Sequence, residues 1–157
     1  MRRRAAEFDW QKFSNKEITK ILREMRETMK AAEGIGLAAN QVGLPWRLLV
    51  AELFRKDGKK EKFYAIFNPE IEKESEEKEV DIEGCLSVPG KAGEVERSLK
   101  VTISGQDRYG RKIRVKASGI LARVFQHEMD HLNGVLFIDK AEKIYAVPEG
   151  EEGAPRA

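Results

Sequence analysis

The chain has 157 residues, of which 41% are hydrophobic and 36% charged, a composition typical of one soluble domain. Its 29 basic and 27 acidic residues give a net charge of +2, so no overall field favours nucleic acid. No apolar run is long enough to span a bilayer. The single cysteine, Cys85, excludes an intramolecular disulfide and fits a reducing cytoplasm. We therefore expect a cytoplasmic protein with no membrane partner and no specific nucleic-acid partner.

The first predicted element is an amphipathic helix that begins after Ser14 and ends near Gly34. Ser14 and Glu17 have the spacing of a capping box. The following apolar residues recur every three or four positions, as on one helical face: Ile18, Ile21, Leu22, Met25 and Met29. The small residues at 34–43 then predict a helix-to-strand loop, in which Gln41 can present its amide to a partner.

Four segments in the middle of the chain have the pattern of β-strands: 47–54, 63–68, 99–104 and 112–117. A turn at 56–59 joins the first two, and a turn at 107–110 joins the last two into an antiparallel hairpin.

Two further segments are less regular. The charge run at 73–79 predicts a solvated strand or loop, and a short strand is expected at 135–138. The Glu- and Gly-rich end at 149–157 predicts a disordered tail after a domain of residues 1–148. The fold class is therefore predicted as α+β, with a mostly antiparallel sheet packed around a central metal-binding helix.

That helix contains both histidines of the chain, in the sequence QHEMDHLNG at 126–134. His127 and His131 are four residues apart, so they lie on one helical face with Ile120 and Val124, which turns toward the core. Ser118 is expected to cap the helix and Gly134 to end it. The alternative to a metal site is two histidines that fell at this spacing by chance.

The chemistry of a metal site requires more than two imidazoles. Cys85 lies in a turn between Gly84 and Gly90, and with the two histidines it would complete a three-ligand site with one open position. Glu128 lies beside the histidine pair, where a general base acting on metal-activated water is usually found.

Three segments together resemble the signature motifs of the peptide deformylases, in the same order: GIGLAANQ at 34–41, EGCLS at 83–87 and QHEMDH at 126–131. The likeness extends from about Phe8 to Asp139. It implies removal of the formyl group from N-formylmethionine at the start of new bacterial or organellar polypeptides.

The resemblance implies a role for each matching residue. Cys85, His127 and His131 become the metal ligands, and Glu128 becomes the acid/base. A hydroxide activated by the metal would attack the formyl carbon. The oxyanion would be held by the metal and by two donors, the Gln41 side chain and the Leu86 backbone N–H.

The resemblance also implies where the substrate lies. An extended peptide would pair with backbone groups around Ile35, Gly36 and Gly84. The methionine side chain would enter an apolar pocket formed by five residues: Ile35, Glu83, Ile120, Val124 and Phe125.

The resemblance implies Fe²⁺ as the native metal, with Ni²⁺, Co²⁺ or Zn²⁺ as substitutes in purified material. The implied partners are N-formylmethionyl nascent peptides, in a bacterial cytoplasm or from a viral gene in a bacterial host. Some members dock on the ribosome through a basic C-terminal helix, whereas this tail carries Glu149, Glu151 and Glu152, so ribosome binding is only weakly supported. A monomer is expected, because no long apolar strip predicts an obligate oligomer.

The resemblance is incomplete at the start of the chain, where only seven residues precede Phe8 and the family's extended first segment is missing. This predicts a fragment or a compact variant.

Two other functions stay open. A metallopeptidase would take its third ligand from a downstream carboxylate such as Glu142 or Glu149 and would keep its metal without Cys85. A non-catalytic relative would bind metal without turnover.

Overall fold

A computed structural model describes residues 2–53 and 62–147 of the chain. The predicted turn at 56–59 and the predicted tail at 149–157 lie outside these residues. In the described part, two α-helices and eight β-strands are joined by turns and short 3-10 helices. The α+β class with antiparallel pairing is confirmed.

Helix α1, Asn15–Ala31, has the predicted capping box: the Ser14 side chain accepts from the Glu17 N–H, and the Glu17 carboxylate accepts from the Ser14 N–H at 2.8 Å. Four of the five predicted apolar residues are buried, whereas Ile21 is half-buried at the margin. The predicted helix is therefore confirmed, with its end three residues earlier than Gly34.

The eight strands form two antiparallel sheets. The larger has the order β1-β2-β3-β6-β7, with bounds Gly36–Ala38, Leu48–Glu52, Phe63–Glu74, Lys100–Gln106 and Lys112–Ser118. The smaller has the order β4-β5-β8, with bounds Lys78–Gly84, Lys91–Ser98 and Lys143–Ala146. The predicted hairpin is confirmed, since β6 and β7 pair from Lys100 opposite Ser118 to Gln106 opposite Lys112.

Helix α2, Ile120–Leu132, carries both histidines, as expected. Ser118 does not cap it, because that residue belongs to β7 and the helix begins after Gly119, whose φ of 57° turns the chain out of the strand. The predicted cap was therefore wrong. Gly134 follows the helix with φ 80°, a conformation that favours glycine.

Alternation along β2 gives the larger sheet two apolar faces. Leu48 and Val50 pack with α1, which defines the α1 face, whereas Leu49 and Ala51 pack with α2, which defines the α2 face. Helix α2 is thus held against one side of the sheet, with β4 and β5 beside it.

The charge run at 73–79, predicted as a solvated strand or loop, is confirmed: it comprises the end of β3, a short loop and the start of β4. The sequence patterns did not predict β5 or β8, and the strand predicted at 135–138 was wrong. Residues 135–138 form no strand in the described structure; a 3-10 helix, Phe137–Asp139, lies there instead. Phe137 is buried against Cys85 and Val95, so a tertiary contact fixes this segment. No helix of the described residues has the length and apolar character needed to cross a membrane.

Candidate metal centre and active site

Three buried side chains from two elements bring their ligand atoms together. Cys85 follows the last residue of β4, and His127 and His131 lie one turn apart on α2. His131 Nε2 lies 3.0 Å from His127 Nε2 and 3.1 Å from Cys85 Sγ, and all three ligand atoms lie within 4.8 Å of one another. The three residues predicted as ligands therefore converge on one point.

The chemistry of these atoms fits a divalent cation. Metal–nitrogen bonds of about 2.0–2.1 Å and metal–sulfur bonds of about 2.3 Å put neighbouring ligand atoms of one tetrahedral ion roughly 3.3–3.6 Å apart. Burial and the neighbouring His127 lower the pKa of His131 to about 3, so its imidazole is neutral, as a ligand must be. Burial raises the pKa of the Cys85 thiol to about 11, and a cation would displace that proton.

Glu83 fixes the orientation of His127. Its carboxylate accepts from His127 Nδ1 at 2.9 Å, which leaves the Nε2 lone pair free to face Cys85 and His131. Arg97 donates to both oxygens of the same carboxylate, each at 2.9 Å, and Arg123 donates to it at 2.8 Å. Burial alone would raise the pKa of Glu83, but the hydrogen bonds from His127 and Arg97 outweigh it and leave that pKa well below its ordinary value.

The network of charged side chains around Glu83 continues through Arg97, on the side away from the three ligand atoms. Arg97 also donates to Asp130, at 2.5 Å, and Lys140 donates to the other oxygen of Asp130 at 2.7 Å. Sequence reasoning assigned no role to Arg97. No sequence signal pointed to it, because Arg97 is buried by sharing one face of β5 with Val95, and that strand was not predicted.

Glu128 has no such partners. Its side chain is fully buried, and neither carboxylate oxygen forms a hydrogen bond with any atom of the described chain. Burial and the charge of Glu83 raise the pKa of this carboxyl well above its ordinary value. The backbone of β1 passes so close that a Cβ on Gly36 would lie 2.5 Å from Glu128 Oε1. This explains why the segment needs glycine there.

Gln41 lies on a 3-10 helix, Ala39–Val42, and its amide is held in one orientation. Its Oε1 accepts from the Ala38 N–H at 2.7 Å, so its Nε2 is turned toward Ser87 Oγ at 3.2 Å and Cys85 Sγ at 3.9 Å. The Leu86 N–H donates to no atom in residues 2–53 and 62–147. Close to the ligand atoms there are thus two donors, the fixed Gln41 amide, which donates to Ser87 and Cys85, and the Leu86 N–H, which is unused in the described residues.

A small apolar pocket lies beside this centre. It brings together four of the five residues expected around the methionine side chain: Ile35, Glu83, Ile120 and Val124. Phe125 lies elsewhere, since it is fully buried in the main core with its ring against Tyr64, at 5.5 Å between centroids. Asp81, Ile82 and Arg123 also line the pocket, and sequence reasoning had not included them.

Comparisons with known proteins show the family of this chain. Residues 1–146 match the family model described as polypeptide deformylase. A peptide deformylase of Carboxydothermus hydrogenoformans is 51% identical over 127 residues, 81% of this chain and 79% of that protein. One of Halothermothrix orenii is 50% identical over 132 residues, 82% of each.

Solved structures agree as well. The peptide deformylase from Synechococcus elongatus in complex with actinonin superposes with a TM-score of 0.83 at 43% identity, covering 90% of this chain and 75% of that one. A probable peptide deformylase from Synechococcus phage S-SSM7 gives 0.80 at 40% identity, covering 88% and 91%. The chain therefore belongs to the polypeptide deformylase family, hydrolases that remove the formyl group from the N-terminus of polypeptides.

Proposed function

We propose that the chain deformylates N-formylmethionyl nascent peptides by a metal-dependent hydrolysis in which Glu128 is the acid/base. The observation that carries this proposal is the isolation of the Glu128 carboxylate. It is fully buried next to three converging ligand atoms, yet neither of its oxygens is used by the described chain. A buried carboxylate without a partner is costly for folding, so its retention is best explained by a reaction.

Cys85, His127 and His131 would hold the ion, and Fe²⁺ is the metal that we propose. When bound, such an ion is a Lewis acid that makes water nucleophilic near neutral pH. The donor set accepts Ni²⁺, Co²⁺ and Zn²⁺ as well, since affinity for such sites generally rises from iron toward copper.

Glu128 would move one proton through the reaction. It takes a proton from the attacking water as the water oxygen bonds to the formyl carbon. It then gives this proton to the peptide nitrogen as the carbon–nitrogen bond breaks, which yields formate and a free amino terminus. Burial supports both halves of the cycle, because a carboxyl with a raised pKa holds a proton long enough to return it.

Gln41 and Leu86 would stabilise the oxyanion that forms on the formyl oxygen. The bond from the Ala38 N–H to Gln41 Oε1 leaves the Gln41 Nε2 as a fixed donor, and the Leu86 N–H is free within the described residues. Donors held in place before the reaction contribute most, because they need no rearrangement when the charge develops.

The substrate would lie extended between Gly36 of β1 and Gly84 at the end of β4, with its methionine side chain in the pocket of Ile35, Ile120 and Val124. Glu83 closes that pocket, but its carboxylate is engaged with His127 and Arg97. We propose a monomeric enzyme of the bacterial cytoplasm.

The test is formate release from formyl-Met-Ala-Ser by anaerobically purified, iron-loaded protein. The Glu128→Gln variant is assayed beside it, with metal content measured in both. Release that falls roughly 100- to 10,000-fold in a metallated variant supports the proposed acid/base. Full activity in that variant would contradict it.

Cys85→Ala tests the ligand set in the same assay. We expect the variant to lose stable metal together with activity. If it keeps its metal and cleaves internal peptide bonds, the chain is a peptidase that uses the same helix, and the proposal fails.

A further inference from the structure

A groove on the α1 face of the larger sheet lies away from the metal centre. It has a volume of about 430 Å³ and collects three lysines from three neighbouring strands: Lys73 on β3, Lys100 on β6 and Lys116 on β7. Three hydroxyl residues lie among them: Ser118 is exposed, Thr102 is buried, and the Ser75 hydroxyl donates to the Glu77 backbone oxygen at 2.8 Å. Nothing in the proposed reaction uses this groove.

The strand register places the three lysines together. Lys73 and Lys116 lie opposite Thr102 from its two sides, so their backbones are about 10 Å apart across the sheet. Lys100 precedes Thr102 by two residues and lies diagonally from Lys116, about 7–8 Å away. All three positions share one face, the side opposite the core residues Val101 and Ile103.

These lysines have no partner charge among the described residues. Arg114, on the same face of β7, pairs with Glu72 at 2.6 Å, whereas none of the three lysines forms an ion pair within residues 2–53 and 62–147. Glu74 is the one carboxylate among the groove's lining residues in that part of the chain. Neighbouring like charges are destabilising unless an anion lies between them.

The rest of the fold leaves the groove open. Among the described residues, the apolar cluster under α1 includes none from β6 or β7, so the helix covers only the other half of this face. Lysines on an edge strand often serve to prevent strand pairing between molecules. That explanation covers Lys116 on β7 but not Lys73 or Lys100, which lie on inner strands.

We propose that this lysine groove binds the backbone of double-stranded RNA. Lysine and hydroxyl side chains are the usual contacts to phosphate and sugar oxygens. The apolar residues of the groove, Val101 and Ala117, are buried, so it offers neither the aromatic anchors of a protein interface nor a surface for stacking unpaired bases. Duplex RNA is recognised by its shape, its phosphates and its 2′-hydroxyls, without such stacking.

Binding there is compatible with catalysis. The groove opens on the α1 face, whereas the ligand atoms lie on the side of α2. The inference is therefore independent of the proposed reaction. Removing the lysines should leave formate release unchanged.

The experiment measures binding of the full-length, metal-loaded protein to a labelled RNA duplex of about 20 base pairs by fluorescence anisotropy. We expect a Kd on the order of 10⁻⁴–10⁻⁶ M, with a salt slope of roughly −2 to −3 in a log–log plot, since three phosphates are contacted. The triple variant Lys73→Gln, Lys100→Gln, Lys116→Gln should bind roughly tenfold more weakly. A matched control, Lys12→Gln, Lys16→Gln, Lys20→Gln, removes the same charge from the α1 region.

Four other outcomes would each overturn the inference. Equal weakening in both triple variants would indicate general charge attraction. Tighter binding of polyglutamate than of RNA would indicate an acidic protein, and tighter binding of single-stranded RNA would exclude recognition by duplex shape. Displacement by millimolar inorganic phosphate would indicate a small-anion site. The melting temperature and the three single variants show whether the triple variant is folded.

Discussion

Two buried glutamates on opposite sides of the larger sheet have opposite surroundings. Glu52, at the end of β2, is 1% exposed and receives hydrogen bonds from Arg26 and an ion pair from Lys30 at 3.1 Å. Glu128, on α2, is 0% exposed and receives none from the described chain. The hydrogen bond from Arg26 lowers the pKa of Glu52, whereas burial raises the pKa of Glu128.

The comparison shows that burial alone does not define a site. Glu52 has its partners within the chain and connects α1 to the sheet. Glu128 has none in the described chain and is available to water and substrate. Glu83 is intermediate: it is buried and fully partnered, and one of its partners is His127, a proposed metal ligand.

Replacing Gln41 removes one of the two donors proposed to stabilise the oxyanion. Gln41→Ala should reduce kcat roughly 100- to 1,000-fold, because the oxyanion loses a fixed hydrogen bond. Metal content, measured by atomic emission, should stay at one ion per chain. The control is Gln11→Ala, which removes an exposed amide far from the centre. A change in KM alone would assign Gln41 to substrate binding instead.

Adding a methyl group beside Glu128 tests how closely it is packed. The Cβ of Gly36→Ala would meet Glu128 Oε1 at 2.5 Å and Val124 Cγ1 at 2.7 Å, so the carboxylate must move. We expect kcat/KM to fall about 100-fold, as for a displacement of roughly 1 Å. Circular dichroism and the melting temperature monitor the fold. Unchanged kinetics in the variant would show that Glu128 need not occupy this position.

Neutralising Glu83 tests the partnered carboxylate next to the metal. Glu83→Gln leaves Arg97 buried without its main counter-charge and weakens the orientation of His127. We expect metal affinity to fall roughly 10- to 100-fold, measured by competition with a chelator. Glu79→Gln, an exposed change on the same strand, is the control. Equal affinities in the two variants would contradict the positioning role.

The smallest effects compare the stability contributions of Glu52 and Glu128. Glu52→Gln should lower the free energy of unfolding by about 1–3 kcal/mol, since two buried charged hydrogen bonds are weakened. Glu128→Gln in metal-free protein should raise it by about 1 kcal/mol, because a buried unpartnered carboxylate is removed. Urea unfolding at pH 7 measures both. The exposed change Glu27→Gln, on α1, serves as the control.

The pH dependence of the Glu52 effect has a defined sign. Its pKa is lower in the folded chain than in the unfolded chain, so its stabilisation is complete above the unfolded value of about 4.3. It is lost as the pH falls through the depressed folded pKa. The unfolding free energies of wild type and Glu52→Gln should therefore converge as the pH falls below the unfolded value of about 4.3, and a constant difference would contradict the assignment.

The sequence by itself determined the elements whose signals are local. The capping box of Ser14 and Glu17 and the spacing of apolar residues predicted α1, and the alternation on either side of residues 107–110 predicted the β6–β7 hairpin. The spacing of His127 and His131 predicted a pair on one helical face. Each of these depends on residues a few positions apart, which backbone geometry alone brings together.

Only the tertiary structure decided which charges have partners. Arg97 meets Glu83 and Asp130 because β5 pairs with β4 and packs beside α2, and no pattern in the sequence predicted that strand. Phe125 and Val124 are neighbours in sequence and both lie in the core, yet only Val124 also lines the pocket. Glu52 and Glu128 are both glutamates and are similarly buried. Glu52 is bonded to Arg26, 26 residues earlier in the chain, whereas Glu128 has no hydrogen-bond partner in the described chain, and this difference separates their roles. Electrostatic partners at that distance are set by the packing of whole elements, which a local pattern does not encode.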